Sequence, residues 1–305
     1  MSPRAWSRLR LAGGSAIVAL LVWRLGPGSF LAGVLTVDAG TLVIGALIAV
    51  PTTVCCAWRW RLVARALGVG IALPTATTAC YRSQFLNTVL PGGVFGDVLR
   101  GLRHGRAAAD TARSLRTVAW ERGIGNAVLV ALAVPVLLLA ASPVRAGVLA
   151  VLALLVVVVL ATLVAGRRGG VLGSELRTLL AHRTWPGLAA VSALAVLGHV
   201  ATLLVAARAA GATAPITQLV PLVLVVLLSM GVPLNVAGWG PREGVAAWAF
   251  AAAGLGAHLG VAVAVVYGMM AFVGGLPGLV VLLVEGRAAA TTGASGRRAL
   301  EAVDG

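Results

Sequence analysis

The stretch LPTATTACYRSQFLNTVLPGGVFGDVL, residues 73–99, is out of character with the apolar chain around it. It carries Arg82, Gln84, Asn87 and Asp97, and it is interrupted at Pro91-Gly92-Gly93 and again at Gly96. A lipid-facing helix must bond every backbone group internally, and a segment this polar and this broken does not meet that demand. Arg59, Arg61 and Arg65 precede it, and Arg100, Arg103, Arg106, Arg113 and Arg116 follow it. Basic clusters on both flanks place both ends on the same side of a membrane. The segment therefore predicts two short helices that enter and leave by one face, with the break buried in protein or lining a wet cavity. The competing reading is an amphipathic loop on the cytoplasmic surface.

The rest of the chain supplies the membrane. Of 305 residues, 60% are hydrophobic and 11% are charged, against roughly 45–50% and about 25% in ordinary soluble domains. At about 20 residues per crossing, there is room for roughly six to nine spans. Apolar runs fall at about residues 11–25, 39–58, 117–141, 146–166, 187–207, 217–236 and 259–284, with a shorter one at 244–257. The first follows Arg4, Arg8 and Arg10 and shows no convincing cleavage site, so it reads as a retained anchor. The expected fold class is all-α, a polytopic integral membrane helical bundle. Residues 1–10 read as a cytoplasmic basic terminus, 11–285 as the transmembrane domain and 286–305 as a disordered cytoplasmic tail.

The net charge of +15 is carried by 24 Arg with no Lys. These Arg fall in short clusters between apolar runs, the pattern of cytoplasmic loops facing anionic headgroups. Nucleic-acid binding is not expected, and both termini are assigned to the cytoplasmic side of a bacterial cytoplasmic membrane. Without Lys the chain has no P-loop lysine and no Schiff-base residue, so it is not an ATP-driven pump by its own residues. Cys55, Cys56 and Cys80 lack metal or redox spacing and read as small apolar fillers. The four His show no ligand spacing, and neither a metal nor any other cofactor is implied. His199, inside a span, reads as a hydrogen-bonded packing residue. Most Trp, including Trp58 and Trp60, read as interface belts; Trp239 stands apart from them.

Trp239 belongs to a second break, VPLNVAGWGPREG at 232–244. Each break sets an Asn before a Gly/Pro interruption, then an acid with an Arg close by, and Asn235 lies 148 positions after Asn87. If the two enter from opposite faces, each half becomes three spans and a hairpin in inverted orientation. Paired broken helices in corresponding halves mark transporter sites. The same parity is kept by an eight-span or ten-span bundle with Arg242–Glu243 in a cytoplasmic loop, so loop charge does not choose between them.

Residues Asn87 to Arg100, the Glu121-Arg122 pair in AWERGIG and the turn GWGPREG resemble the transmembrane flippase-like region of bacterial lysylphosphatidylglycerol synthases and their stand-alone relatives. The resemblance runs from about residue 10 to 285. It implies movement of an anionic, aminoacylated or polyprenyl-linked lipid across the bilayer. The aminoacyl-transferase domain of the full-length synthases has no counterpart here, so lipid lysinylation is not expected.

A charge at the bilayer centre costs at least ~2.5–3.5 kcal/mol unless paired or solvated, which makes the scarce internal charges the site candidates. Arg82, Arg122 and Arg242 are candidates to grip a lipid phosphate, because a guanidinium binds two of its oxygens at once. Asp97, Glu121 and Glu243 would position those Arg, accept a cationic headgroup or carry a proton. Asn87, Arg100, Asn235 and Trp239 complete the set. Helix amino termini at the two breaks would add backbone donors. The plainer reading of each acid–Arg pair is an ion pair holding broken helices together, with membrane-interface anchoring a further one for Arg100. Expected partners are membrane phospholipid or a lipid-linked substrate, with a lipid-modifying enzyme as the candidate protein partner. Two other classes compete with the flippase: an integral-membrane transferase on a lipid-linked substrate, and a non-transporting subunit of a lipid-modifying enzyme. No D-x-D or G-x-S-x-G signature favours the transferase.

Overall fold

The computed structural model describes residues 28–90, 93–139, 170–231 and 240–301. The expected spans at 11–25 and 146–166 lie outside them. The first described helix, α1 (Gly28–Leu35), lies against the long last helix, α10 (Ala257–Glu301), with Gly33 on Val265. Helix α2 (Ala39–Ala66) is capped by Asp38, whose Oδ1 accepts the Thr41 N–H at 2.7 Å. The Thr41 hydroxyl and then its amide hold this carboxyl below the usual range. Two shorter helices follow, α3 (Leu73–Val89) and α4 (Phe95–Ala107), and then the long α5 (Thr111–Leu139). The second half has a short α6 (Val171–Leu179), α7 (Trp185–Ala209), α8 (Ile216–Met230), α9 (Pro241–Ala252) and α10.

Helices α2, α5, α7 and α10 (over Ala257–Arg287) are long and apolar enough to cross a membrane. No strand occurs among the described residues. The protein is a polytopic helical membrane bundle. Helix α10 continues past Glu285, where the sequence predicts a tail, as far as Glu301.

The broken segment is a hairpin, not a surface loop. Arms α3 and α4 run antiparallel, with Ser83 beside Gly96 and Cys80 beside Arg100. A Cβ at Gly96 would stand 2.2 Å from the Ser83 carbonyl oxygen, so glycine sets how closely the arms meet. The hairpin packs on α10, Tyr81 against Gly278 and Phe85 against Gly275. Arms α8 and α9 make a second hairpin, also against α10, with Ala246 on Gly260 and Arg242 on Gly268.

The halves repeat. Ala39, Phe95 and Thr111 stand 146 positions before Trp185, Pro241 and Ala257, each the first residue of its helix. Packing repeats too: α2 on α3 and α7 on α8, α4 on α5 and α9 on α10, α3 on α10 and α8 on α5. Helices α2 and α7 cross antiparallel, Leu62 meeting Gly187 and Thr52 meeting Gly198. Thr52 and Gly198 are themselves 146 apart, which puts a pseudo-two-fold axis through their contact. Helix α2 runs parallel to α10, Gly45 on Met270 and Ala49 on Gly274, and antiparallel to α5, where Trp60 meets Thr117. Helices α5 and α10 are therefore opposed as well. The repeat is inverted, and its two hairpins start from opposite ends of the bundle. The inner ends of their arms lie near its middle, with Arg242 at Gly268 and Phe85 at Phe272.

The largest apolar core gathers α7, α8, α9 and α10, with Leu203, Leu219, Phe250 and Met270 fully buried. A smaller core of Ala57, Trp60 and Ala76 seats the first hairpin on α2. Helix α6 is tied to α5 by Glu175, which accepts from Arg116 Nε at 2.8 Å and Trp120 Nε1 at 2.9 Å.

Candidate functional site

The inner ends of the hairpin arms and the middles of α2, α5, α7 and α10 surround a cavity of about 690 Å³. Its polar wall belongs to the first half. Glu121 on α5 is buried and receives two guanidinium groups: Arg59 from α2, with Nε to Oε1 at 2.9 Å, and Arg100 from α4, with Nη2 to Oε2 at 2.9 Å. Asp97, in the first turn of α4, accepts from Ser83 Oγ at 2.7 Å, Asn87 Nδ2 at 3.0 Å and Arg100 Nη2 at 3.1 Å, and also from Arg122. Asn87 Oδ1 in turn accepts the Gly96 N–H at 2.8 Å, so this one side chain closes the hairpin turn from both sides.

Arg100 is held by more than charge. Its Nη1 lies 3.0 Å from Cys80 Sγ, and its guanidinium sits 4.6 Å from the centre of the Trp60 ring. Trp60 donates Nε1 to Thr117 Oγ1 at 3.0 Å. Three guanidinium groups thus face two carboxylates, one positive charge in surplus. Four of the five side chains are at most 9% exposed, whereas Arg122 is 53% exposed. Arg122 is the cation of this cluster that a molecule in the cavity can reach.

Across the cavity, Arg242 in the first turn of α9 donates Nε to Glu243 Oε1 at 2.9 Å, and Glu243 Oε2 accepts the Gly240 N–H at 2.7 Å. The acid closes the amino terminus of α9 as a capping-box residue does. Glu243 stands 146 positions after Asp97, so each hairpin places an acid at the third residue of its second arm. Arg242 also lies 5.4 Å from the centre of the Tyr267 ring, and the Tyr267 hydroxyl and His199 Nδ1 are 3.3 Å apart. His199 thus has the hydrogen-bonded place that its sequence context suggests.

Asn87, Asp97, Arg100, Glu121, Arg122 and Arg242 all line the cavity, and Glu243 is bonded to Arg242. Asn235 and Trp239 lie outside the described residues. Arg82 points elsewhere, to Glu285, and lines a second recess. Glu121 and Arg122 are bonded to different partners, Glu121 to Arg59 and Arg100 and Arg122 to Asp97.

Three readings of the sequence are corrected. Arg59 is not a loop marker at a membrane surface; α2 continues eight residues beyond the apolar run that ends at 58, and Arg59 turns inward to Glu121. Trp60 is fully buried beneath Arg100 and belongs to no interface belt. Cys80 is more than a filler, because its sulfur accepts from Arg100. Nothing local to residues 59 or 80 announces these roles, since Glu121 lies 62 positions from Arg59. Among the described residues no group of His, Cys, Asp and Glu has the arrangement of a metal site.

No curated protein and no solved structure matches the chain. A family model does, over residues 9–278, which takes in both hairpins and every described span but the end of the last. The chain belongs to the family described as the lysylphosphatidylglycerol synthase TM region.

Proposed function

We propose that this protein moves a lipid with an anionic phosphate headgroup across the bacterial cytoplasmic membrane, with the basic loops and both termini facing the cytoplasm. The supporting observation is the half-exposed Arg122 guanidinium, backed by a cluster with one surplus positive charge, in a cavity of about 690 Å³ at the middle of the bundle. A phosphate crossing hydrocarbon alone loses its hydration, and a charge there costs at least ~2.5–3.5 kcal/mol. A guanidinium already fixed by Asp97 offsets that cost without reorganising. Arg242, on the opposite hairpin, gives the headgroup a second contact as it passes. The apolar walls, among them Leu129, Val196 and Phe272, suit the acyl chains.

The test is leaflet exchange of fluorescently labelled phosphatidylglycerol in proteoliposomes. Arg122→Gln is expected to slow exchange at least tenfold with the fold intact, and Arg242→Gln to slow it as well. Normal exchange in both variants would remove the site. Chemical turnover of the headgroup without exchange would replace transport by group transfer.

A further inference from the structure

Glu285 stands two residues before Arg287, where the apolar part of α10 ends. Its carboxylate is divided between two guanidinium groups: Oε1 accepts from Arg82 Nη1 and Oε2 from Arg103 Nη1, each at 2.5 Å. Arg82 comes from α3 and Arg103 from α4, so one carboxylate ties both arms of the first hairpin to α10. Arg82 is almost covered, at 9% exposure, whereas Arg103 and Glu285 are each 41% exposed.

Beside this clasp opens a recess of about 410 Å³, lined by Arg82, Arg100, Arg103 and His104 among others. His104 is engaged elsewhere, its Nε2 lying 2.8 Å from the Val69 carbonyl oxygen. Arg100 lines the recess and the central cavity alike, so the guanidinium that bridges Asp97 and Glu121 is also the partition between the two spaces.

Two guanidinium groups on one carboxylate leave one positive charge over. Each guanidinium carries five N–H donors, so one carboxylate oxygen saturates neither. A phosphodiester carries one negative charge and presents a pair of oxygens to the same forks. It meets the same donors as Glu285, and the two anions compete for them.

We propose that Arg82 and Arg103 form a second anion site, for a phosphate group on a lipid headgroup or free in solution, which Glu285 occupies until a phosphate displaces it. Displacement frees the end of α10 from the first hairpin, so occupancy of the recess loosens the contact that closes this end of the bundle. The clasp would thus regulate the lipid movement proposed above, and to that extent it rests on that reading. Its test does not.

The full chain in detergent carries Arg122→Gln and Arg242→Gln, which remove both proposed headgroup contacts of the central cavity, and is titrated calorimetrically with dihexanoylphosphatidylglycerol and, separately, with inorganic phosphate. Adding Glu285→Gln is expected to tighten binding about tenfold. Adding Arg103→Gln to that variant is expected to reverse the gain. A gain for the short-chain lipid alone assigns the site to a headgroup, and an equal gain for inorganic phosphate assigns it to the free anion. Unchanged binding of both probes overturns the proposal. If Glu285→Gln lowers the melting temperature, Glu285→Asp shortens the reach of the clasp and is expected to tighten binding in the same direction; failure to do so also overturns it. A tenfold gain in these titrations, with a chain that keeps Arg122 and Arg242 yet moves no lipid in vesicles, would sink the transport reading and leave the anion site standing.

Discussion

Glu121 and Arg122 are neighbours in sequence with opposite tasks. Glu121 is 3% exposed at its side chain and answers two buried guanidinium groups. Removing its charge leaves Arg59 and Arg100 facing each other across a neutral amide, and breaking a buried pair in this way costs about 3–5 kcal/mol. Glu121→Gln is therefore expected to lower the melting temperature sharply in thermal unfolding followed by circular dichroism. Arg122→Gln removes a half-exposed partner from Asp97, which keeps Ser83, Asn87 and Arg100. Its cost is expected to stay within about 1 kcal/mol, as for exposed ion pairs. Equal destabilisation by the two variants would show that Arg122 is structural. The sequence points to both residues because charge is scarce in an apolar chain, but scarcity does not name partners. Arg59 was hidden for that reason: it lies among Arg61 and Arg65, and only the length of α2 turns it inward.

Hairpin arms are held at a distance that side chains would not permit. Gly96 and Gly123 differ by 27 positions, yet they separate two kinds of glycine. A Cβ at Gly96 would meet the Ser83 backbone at 2.2 Å, whereas one at Gly123 would meet nothing within 4 Å. Gly96→Ala is expected to push α4 from α3, displace Asp97 from Ser83 and destabilise the protein by about 1–3 kcal/mol, the usual cost of overpacking. Gly123→Ala is expected to be neutral or slightly stabilising, because alanine is the better helix former. Melting temperatures of the pair check this, and equal effects would contradict the close packing of the arms. At this scale the sequence was informative. Pro91-Gly92-Gly93 marks the turn, and the boundaries at Val89 and Phe95 fall on either side of it. What periodicity does not reveal is where a broken segment docks, since that depends on glycines of α10 almost 200 positions away, Gly275 and Gly278.

The whole molecule has two ends, and its directions follow from helix pairing. The carboxyl end of α2, the open end of the first hairpin, the start of α7 and the close of the apolar part of α10 lie together, as Leu62 with Gly187, Val69 with His104 and Arg103 with Glu285 record. The loop between α7 and α8 lies at the other end. In a chain with Cys55, Cys56 and Cys80 replaced by Ser, Arg106→Cys and Arg183→Cys are expected to react with an impermeant maleimide from one side of the membrane and Thr213→Cys from the other. Labelling of all three from the same side would contradict the inverted arrangement. The sequence carried this architecture in outline, through basic clusters and two Asn-containing breaks half a chain apart, because membrane insertion writes charge into loops. The register of the repeat was not legible, since 146 positions relate Asp97 to Glu243 but also Arg100 to Ala246 and Arg122 to Gly268. That mismatch has a consequence. A scaffold of two identical inverted halves would have two arrangements of equal energy, one open to each side, exchanged by the axis through Thr52 and Gly198. Here one half carries the guanidinium cluster of Arg59, Arg100 and Arg122, and the other sets Val205, Ala246 and Gly268 at the same stations. On the transport reading proposed above, the seesaw is weighted on one arm and is expected to rest toward a single side before any cargo arrives.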